Sequence, residues 1–220
     1  MKRRDKDRAA RGIRAVELEI LVEEESAGIA VKDLVHRVVA DAQVTVRIRQ
    51  FRGKPDLLKK LPARLRGYAA ARDRGDDVRI LVLLDKDDDD CRNLKANLDS
   101  IAMQAGLTVK GKQGGEFCVL NRIAVRELES WYFGDWRAVR KAFPKIPVEP
   151  PKRFRGNPDC VDGKPSEAFN RVLRGAGVRM TAKTMWGQRI GPHLDPDRNN
   201  SMSFRAFIDG LREIVRDDTR

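Results

Sequence analysis

The sequence is poor in the residues that bind metals through sulfur or imidazole. Its 220 residues include only three cysteines and two histidines. The cysteines form no C-x-x-C pair and are odd in number, which argues against a zinc site and for a reducing compartment. The histidines, His36 and His193, are too far apart in the sequence for a metal-ligand spacing. The sequence therefore predicts a protein of a reducing compartment without a zinc centre.

Long apolar runs are also missing. None approaches the ~18 residues that a membrane-spanning helix needs. The basic segment at the N-terminus has no apolar stretch after it of the kind that a secretory signal contains. We therefore expect a cytoplasmic protein that has no transmembrane segment.

Positive charge, by contrast, is abundant. The chain has 45 Lys and Arg against 33 Asp and Glu, which gives a net charge of +12. Residues 1–14 hold seven of the basic and two of the acidic residues, and we expect them to form a basic flexible tail. The rest of the excess is spread through the body of the chain. A basic body whose acids gather in clusters favours nucleic acid as a partner, met through metal ions, although a high-arginine proteome alone also produces basic surfaces.

Strands and helices alternate through the first two thirds of the chain. Apolar or alternating segments predict strands at residues 16–22, 44–51, 78–84 and 117–125. Apolar residues at helical spacing predict helices at 29–39, 91–105, 127–133 and 136–143. A further helix is capped by Asp56 and carries Pro62, where a kink or a break is expected. This order predicts an α/β core over residues 15–143, a mostly parallel sheet with helices on both faces.

The chain changes character at Pro144. Five prolines between residues 144 and 158 predict an irregular connection. Short helices are expected after it, at residues 166–174, 181–190 and 204–216. Residues 144–220 are therefore predicted to be a proline-rich connection and a helical C-terminal subdomain that packs on the core.

Acidic residues follow three of the four predicted strands. Glutamates occupy residues 23–25 after the first strand, Asp85 and Asp87 follow the third, and Glu127 and Glu129 follow the fourth. Ligands of open α/β sheets bind outside the carboxyl ends of the strands. Because carboxylates that meet in a cleft repel one another unless a cation binds them, the three clusters together predict a site for Mg²⁺ or Mn²⁺.

The expected geometry indicates which acids of these clusters can face the site. If the chain is still extended after the third strand, Asp85 and Asp87 point the same way. Glu127 and Glu129 cannot both face the site within a helix, because residues two apart diverge by ~200°, and we favour Glu129. Any one cluster is equally well explained as the start of a helix, where acids favour the dipole. Residues 88–90 are assigned that structural role.

Five segments carry a resemblance to a known family: LVEEESAG at 21–28, GKPDLLKKLP at 53–62, LLDKDDDDCRNLK at 83–95, RELESWYFGDW at 126–136 and NNSMSFRAF at 199–207. They resemble an uncharacterised bacterial Toprim-like family, related to the OLD-type nucleases, whose members are often encoded beside ABC-type ATPases. The resemblance covers about residues 16–215. It implies a Toprim-like fold and a magnesium-dependent nuclease or phosphoryl-transfer enzyme acting on DNA or RNA, in phage defence with an ATPase partner.

The same resemblance implies roles for individual acids. Glu23 matches the Toprim glutamate, which acts as a general acid/base or as a metal ligand. Asp85 and Asp87 match the Asp-x-Asp pair that binds Mg²⁺, and Glu129 would complete a second metal position. Many Toprim domains have glycine where this chain has Glu24, whose side chain would either crowd the metal or add a ligand.

The remaining candidates are weaker. Lys54, on the turn after the second strand, is a candidate for phosphate contact and equally an ordinary loop lysine. Glu127 is a secondary candidate for the acid site. Two clusters are expected to be structural, one aromatic in the core and one at the cap of the last helix: Trp131, Phe133 and Trp136, and Asn199, Ser201 and Ser203.

Two other functions stay open. A HAD-like phosphatase also places Asp-x-Asp after an apolar strand, but on its first strand, and it would leave Glu23 unexplained. A non-catalytic Toprim-like module would use the same fold to bind an ATPase or nucleic acid. No reader motif for DNA or for RNA is visible, so the sequence does not choose between them.

Overall fold

A four-stranded parallel sheet forms the centre of the computed structural model, which describes residues 16–40, 42–112 and 116–216. The strands are β1 (Val16–Val22), β2 (Val44–Gln50), β3 (Val78–Asp85) and β4 (Val119–Ala124). Their spatial order is β2-β1-β3-β4, and all three neighbouring pairs run parallel. The predicted α/β fold is confirmed. The predicted basic tail, residues 1–14, lies outside the described residues.

Eight α-helices connect or follow these strands within the described residues. In chain order they are α1 (Glu25–Val38), α2 (Lys54–Asp73), α3 (Cys91–Gln104), α4 (Ser130–Gly134), α5 (Trp136–Ala142), α6 (Pro165–Gly175), α7 (Lys183–Ile190) and α8 (Met202–Ile214). Short 3₁₀ turns occur at Lys152–Phe154, Pro158–Cys160 and Gly191–His193. Across the described part of the chain, no helix combines the length and the apolar character needed to cross a bilayer.

The sheet separates two buried apolar clusters, which explains the unbroken apolar run in β3. Leu81 and Leu83 pack into the larger cluster, whereas Ile80, Val82 and Leu84 pack into the smaller one on the other face. Successive side chains of a strand point to opposite faces, so a strand covered on both sides has no solvent-facing position. The smaller cluster also contains the apolar residues of α2 and α3, and the larger contains those of α1 and α4–α8.

Helix α2 differs from its prediction at two points. It begins at Lys54, after Gly53 in the left-handed region (φ 93°), and Asp56 lies inside the first turn. It also continues through Pro62 to Asp73 without the expected break. The apolar side of this helix is fully buried against the sheet on both sides of the proline, at Leu57, Leu61 and Leu65. Tertiary packing therefore holds the helix together where a proline removes one backbone hydrogen bond.

The C-terminal part is fastened to α1 by a close helix contact. A Cβ atom on Gly187 of α7 would lie 3.0 Å from the backbone oxygen of Ser26, and one on Gly191 would lie 2.6 Å from that of Ala30. Only glycine allows backbones to approach this closely. Helix α7 is thereby held beside the start of α1, and its first residue, Lys183, lies near the carboxyl ends of the strands.

Candidate active site

The carboxyl ends of β1, β3 and β4 are joined by hydrogen bonds to two carboxylates. Glu23, directly after β1, accepts a hydrogen bond from the backbone N–H of Asp85 with its Oε2 at 3.3 Å. Asp85, the last residue of β3, accepts one from the backbone N–H of Leu128 at 2.9 Å. The two acids predicted from separate strand ends are therefore neighbours at one edge of the sheet, as parallel topology requires.

Burial and mutual repulsion destabilise the ionised forms of these acids. Asp85 keeps some accessible surface, yet burial, followed by the charges of Glu129 and Glu23, raises the pKa of its carboxyl well above the usual range. Burial likewise raises the pKa of Glu23, although the Asp85 N–H and Lys54 oppose the shift. Raised carboxyl pKa values in a cleft mark a place where a cation would be stabilised.

Asp87 departs from the expected geometry. It adopts a left-handed conformation (φ 50°) in the turn after β3, so the chain is not extended there and the alternation that would align Asp87 with Asp85 does not apply. Its carboxylate is about half exposed and accepts a hydrogen bond from the Nζ of Lys54 at 2.7 Å. The acid is nevertheless close enough to Glu23 and Asp85 to raise the pKa of both.

Lys54 organises that turn. Besides Asp87, its ammonium group donates to Asp89 at 2.8 Å and to the backbone oxygen of Lys86 at 3.3 Å, and the side chain is only 13% exposed. The sequence predicts a helix-start role for Asp89, but its carboxylate pairs with Lys54 instead. Asp90 alone performs the capping role, accepting a hydrogen bond from the N–H of Asn93 at 2.8 Å.

Glu127 and Glu129 both reach the site edge, contrary to the expectation for a helix. Helix α4 begins only at Ser130, so the two glutamates lie in the turn before it, where helical divergence does not hold. Their carboxylates lie 4.0 Å and 3.3 Å from the Nζ of Lys183. Glu127 also accepts hydrogen bonds from the N–H and hydroxyl of Ser166 in the first turn of α6, at 2.7 and 3.0 Å.

Glu129 is the more perturbed of the two glutamates. It is 3% exposed. Burial raises its pKa to about 7, with Lys183 acting against the shift and Glu127 adding to it. A carboxyl with this pKa exchanges its proton near neutral pH, which is the range in which a general acid or base works best.

Lys183 is the site residue that the sequence did not reveal. It approaches Glu24 at 3.9 Å as well as Glu127 and Glu129. Burial alone lowers the pKa of Lys183, but Glu129, Glu127 and Glu24 outweigh it and raise that pKa above the usual range. Its one local signal is its position: a lysine at the first residue of a helix opposes the helix dipole, which indicates another source of negative charge nearby.

A depression of about 270 Å³ adjoins the acids. Its lining includes the acids Asp87 and Glu127 together with the cationic residues Arg126 and Lys164. Arg126 also pairs with Asp162. A phosphate-bearing ligand that entered the depression would meet positive charge next to the acids at the carboxyl ends of the strands.

The charged side chains at the carboxyl ends of the strands, which we call the carboxylate edge, suit a metal ion by their excess of negative charge. The edge holds two ammonium groups, Lys54 and Lys183, and six carboxylates: Glu23, Glu24, Asp85, Asp87, Glu127 and Glu129. Within the described residues, no three or more His, Cys, Asp or Glu side chains stand ready to hold one ion. The surplus of hard oxygen ligands suits Mg²⁺ or Mn²⁺, and binding would require the carboxylates to turn towards the ion.

Two other clusters are structural, as expected. Trp131, Phe133 and Trp136 are all buried in the larger apolar cluster. Ser201 caps α8 by accepting a hydrogen bond from the N–H of Phe204, and Asn199 donates to the backbone oxygen of Trp131 at 2.8 Å. These residues fasten the last helix to α4.

Comparison with known proteins gives one match. A family model described as Domain of unknown function (DUF4276) matches residues 22–212 of the chain. Neither the curated proteins nor the solved structures contain a match. The matched segment includes every acid of the sheet edge and Lys183.

Proposed function

We propose that this chain, which belongs to the DUF4276 family of domains of unknown function, is a metal-dependent enzyme that hydrolyses phosphodiester bonds of nucleic acid. The observation that carries the proposal is the carboxylate edge. Three of its acids, Glu23, Asp85 and Glu129, have raised pKa values, although the chain as a whole carries a net charge of +12. A basic protein that concentrates destabilised carboxylates at the ligand-binding edge of its sheet is suited to a cation and a polyanion together.

In this proposal Asp85 and Asp87 would hold one Mg²⁺ or Mn²⁺ ion, and Glu23, whose carboxylate accepts a hydrogen bond from the Asp85 backbone, lies beside it. The bound ion supplies Lewis-acid polarisation of a phosphoryl oxygen and lowers the pKa of a water molecule. The raised pKa of Glu23 suits it to take the proton of the attacking water. Lys54 keeps the turn that carries Asp87 in place through its two carboxylate contacts.

The cationic residues that line the depression would receive the substrate. Arg126 and Lys164 line it next to Asp87 and Glu127. Cationic side chains neutralise phosphates without reading sequence, so they would hold the strand that flanks the scissile bond. This contact does not distinguish DNA from RNA, and both belong in the assay.

The wider setting is proposed from the five resembling segments. They support a Toprim-like enzyme of the OLD-nuclease kind, of bacterial origin and cytoplasmic, that acts in phage defence with an ABC-type ATPase. A non-catalytic module that binds an ATPase or nucleic acid and a HAD-like phosphatase are the competing functions, and the assay below separates all three.

The test is cleavage of supercoiled plasmid and of single-stranded RNA by the purified full chain with Mg²⁺ or Mn²⁺. We expect Asp85→Asn to lower the rate by at least about a hundredfold, the loss of ~2.7 kcal/mol of transition-state stabilisation. Asp209→Asn, at an exposed position of α8, is the matched control and should leave the rate unchanged. Full activity in Asp85→Asn would overturn the proposal. Hydrolysis of a phosphomonoester alone would favour the phosphatase, and binding without cleavage, even with the ATPase present, would favour the module.

A further inference from the structure

The carboxylate edge divides into two halves, which differ in whether an ammonium group lies among their carboxylates. In the first half, Glu23 and Asp85 are joined by a hydrogen bond between the Glu23 carboxylate and the Asp85 backbone, and no ammonium group lies within ion-pair distance of either carboxylate in the described residues. In the second half, Lys183 stands among three carboxylates: Glu129 at 3.3 Å, Glu24 at 3.9 Å and Glu127 at 4.0 Å.

The cation of the second half is built into the fold. Lys183 opens α7, whose Trp186 and Ile190 are buried in the larger cluster. The close contact at Gly187 fixes the helix against α1. The helix packing therefore fixes the backbone of Lys183, and the contacts with three carboxylates hold its ammonium group.

The surroundings of Lys183 match those of a metal ion in composition. Three carboxylates from the ends of two different strands approach one positive centre, as they would approach a divalent cation. An ammonium group at 3.3 Å from Glu129 also repels any second cation that approaches the same oxygens. Glu127 is held by Ser166 as well as by Lys183.

We propose that Lys183 takes the place of a second metal ion, so that the active site binds one divalent cation beside a fixed ammonium group. This inference rests on the proposed function and deepens it. The single ion belongs to the half formed by Glu23 and Asp85, where Asp87 would exchange its contact with Lys54 for the ion, and Glu129 is a partner of Lys183. The C-terminal part of the chain thereby supplies the second positive charge that would offset the charge developing on a phosphoryl group.

The experiment counts bound ions. The metal-stripped full chain is titrated with Mn²⁺, and the ions bound per chain are measured by electron paramagnetic resonance and calorimetry. We expect one ion in the wild type, none in Asp85→Asn and two in Lys183→Met. The second site of Lys183→Met should bind Mn²⁺ at least about tenfold more tightly than the same position does in the wild type. Lys95→Met is the matched control: Lys95 pairs at 2.9 Å with Asp99, whose side chain is 2% exposed, on helix α3, and neither residue belongs to the carboxylate edge. It should keep one ion.

Each outcome decides between the two proposals. Two ions in the wild type, or one in folded Lys183→Met, would overturn the role of Lys183 and leave the proposed function standing. No ion in the wild type would overturn both. If Lys183→Met does not fold, as judged by circular dichroism, Glu129→Gln decides in its place. If Glu129 is a partner of Lys183, Glu129→Gln should still bind the single ion with unchanged affinity. If Glu129 is instead a ligand of the ion, the variant should no longer bind it.

Discussion

The burial of Glu129 predicts that the metal-free protein loses stability as the pH rises from 5 to 8. Its pKa in the folded chain is about 7, against an ordinary value of 4.5. Over that interval the folded state keeps a proton that the unfolded chain has released, so the free energy of unfolding falls with rising pH. At ~1.4 kcal/mol for each pH unit, the loss through this one carboxyl is about 3 kcal/mol.

The variant Glu129→Gln isolates this contribution. Glutamine remains neutral throughout, so the variant should match the wild type near pH 5 and exceed its stability by up to ~3 kcal/mol at pH 8. Glu149→Gln, at an exposed position, is the control and should reproduce the wild-type curve. Asp85 adds to the decline in the same direction because its pKa is also raised.

The measurement is urea unfolding in the presence of a chelator at four pH values between 5 and 8. A wild-type free energy of unfolding that stays level or rises over this range would refute the reasoning. So would a Glu129→Gln curve that falls as steeply as the wild type. Added Mg²⁺ or Mn²⁺ should recover stability at pH 8, since an ion that binds only the folded state shifts the equilibrium towards it.

Two further substitutions test the site and its support. Lys54→Ala removes the contacts of a lysine with half-exposed partners such as Asp87, so unfolding by urea should show a loss below about 1 kcal/mol, while plasmid cleavage falls about tenfold as the metal-binding turn loosens. Gly134→Ala would put a Cβ atom 2.0 Å from the side-chain oxygen of Asn199, and urea unfolding should show a loss of at least ~2 kcal/mol. Gly175→Ala is the control: a Cβ atom there meets nothing within 4 Å, so the stability should change little. Equal stabilities for the two variants would contradict the packing described for α4.

The sequence predicted the elements whose signals are local. The apolar run that ends at Leu84 is continuous because β3 is covered on both faces, and run length alone indicates that environment. The position of Asp85 and Glu23 at one edge follows from parallel topology. Both inferences depend only on periodicity and on the direction of the strands.

The parts that escaped prediction depend on contacts distant in the sequence. Asp87 turns away from the strand direction because the chain adopts a left-handed conformation there, and Lys54, 33 residues earlier, holds it. Helix α2 survives Pro62 because the sheet supports it. Lys183 joins Glu129 across 54 residues through the packing of α7, and its one local signal, a lysine at the start of a helix, does not identify the partner.

The packing of α7 against α1 has a consequence for folding during synthesis. Helix α1 is made early, but Trp186 and Ile190, which cover its apolar side, are made only when most of the chain has left the ribosome. Until then the nascent chain displays an uncovered apolar surface and an acid cluster without its lysine. Completion of the fold must therefore wait for the C-terminal third, and the half-made chain is the stage most exposed to aggregation and to capture by chaperones.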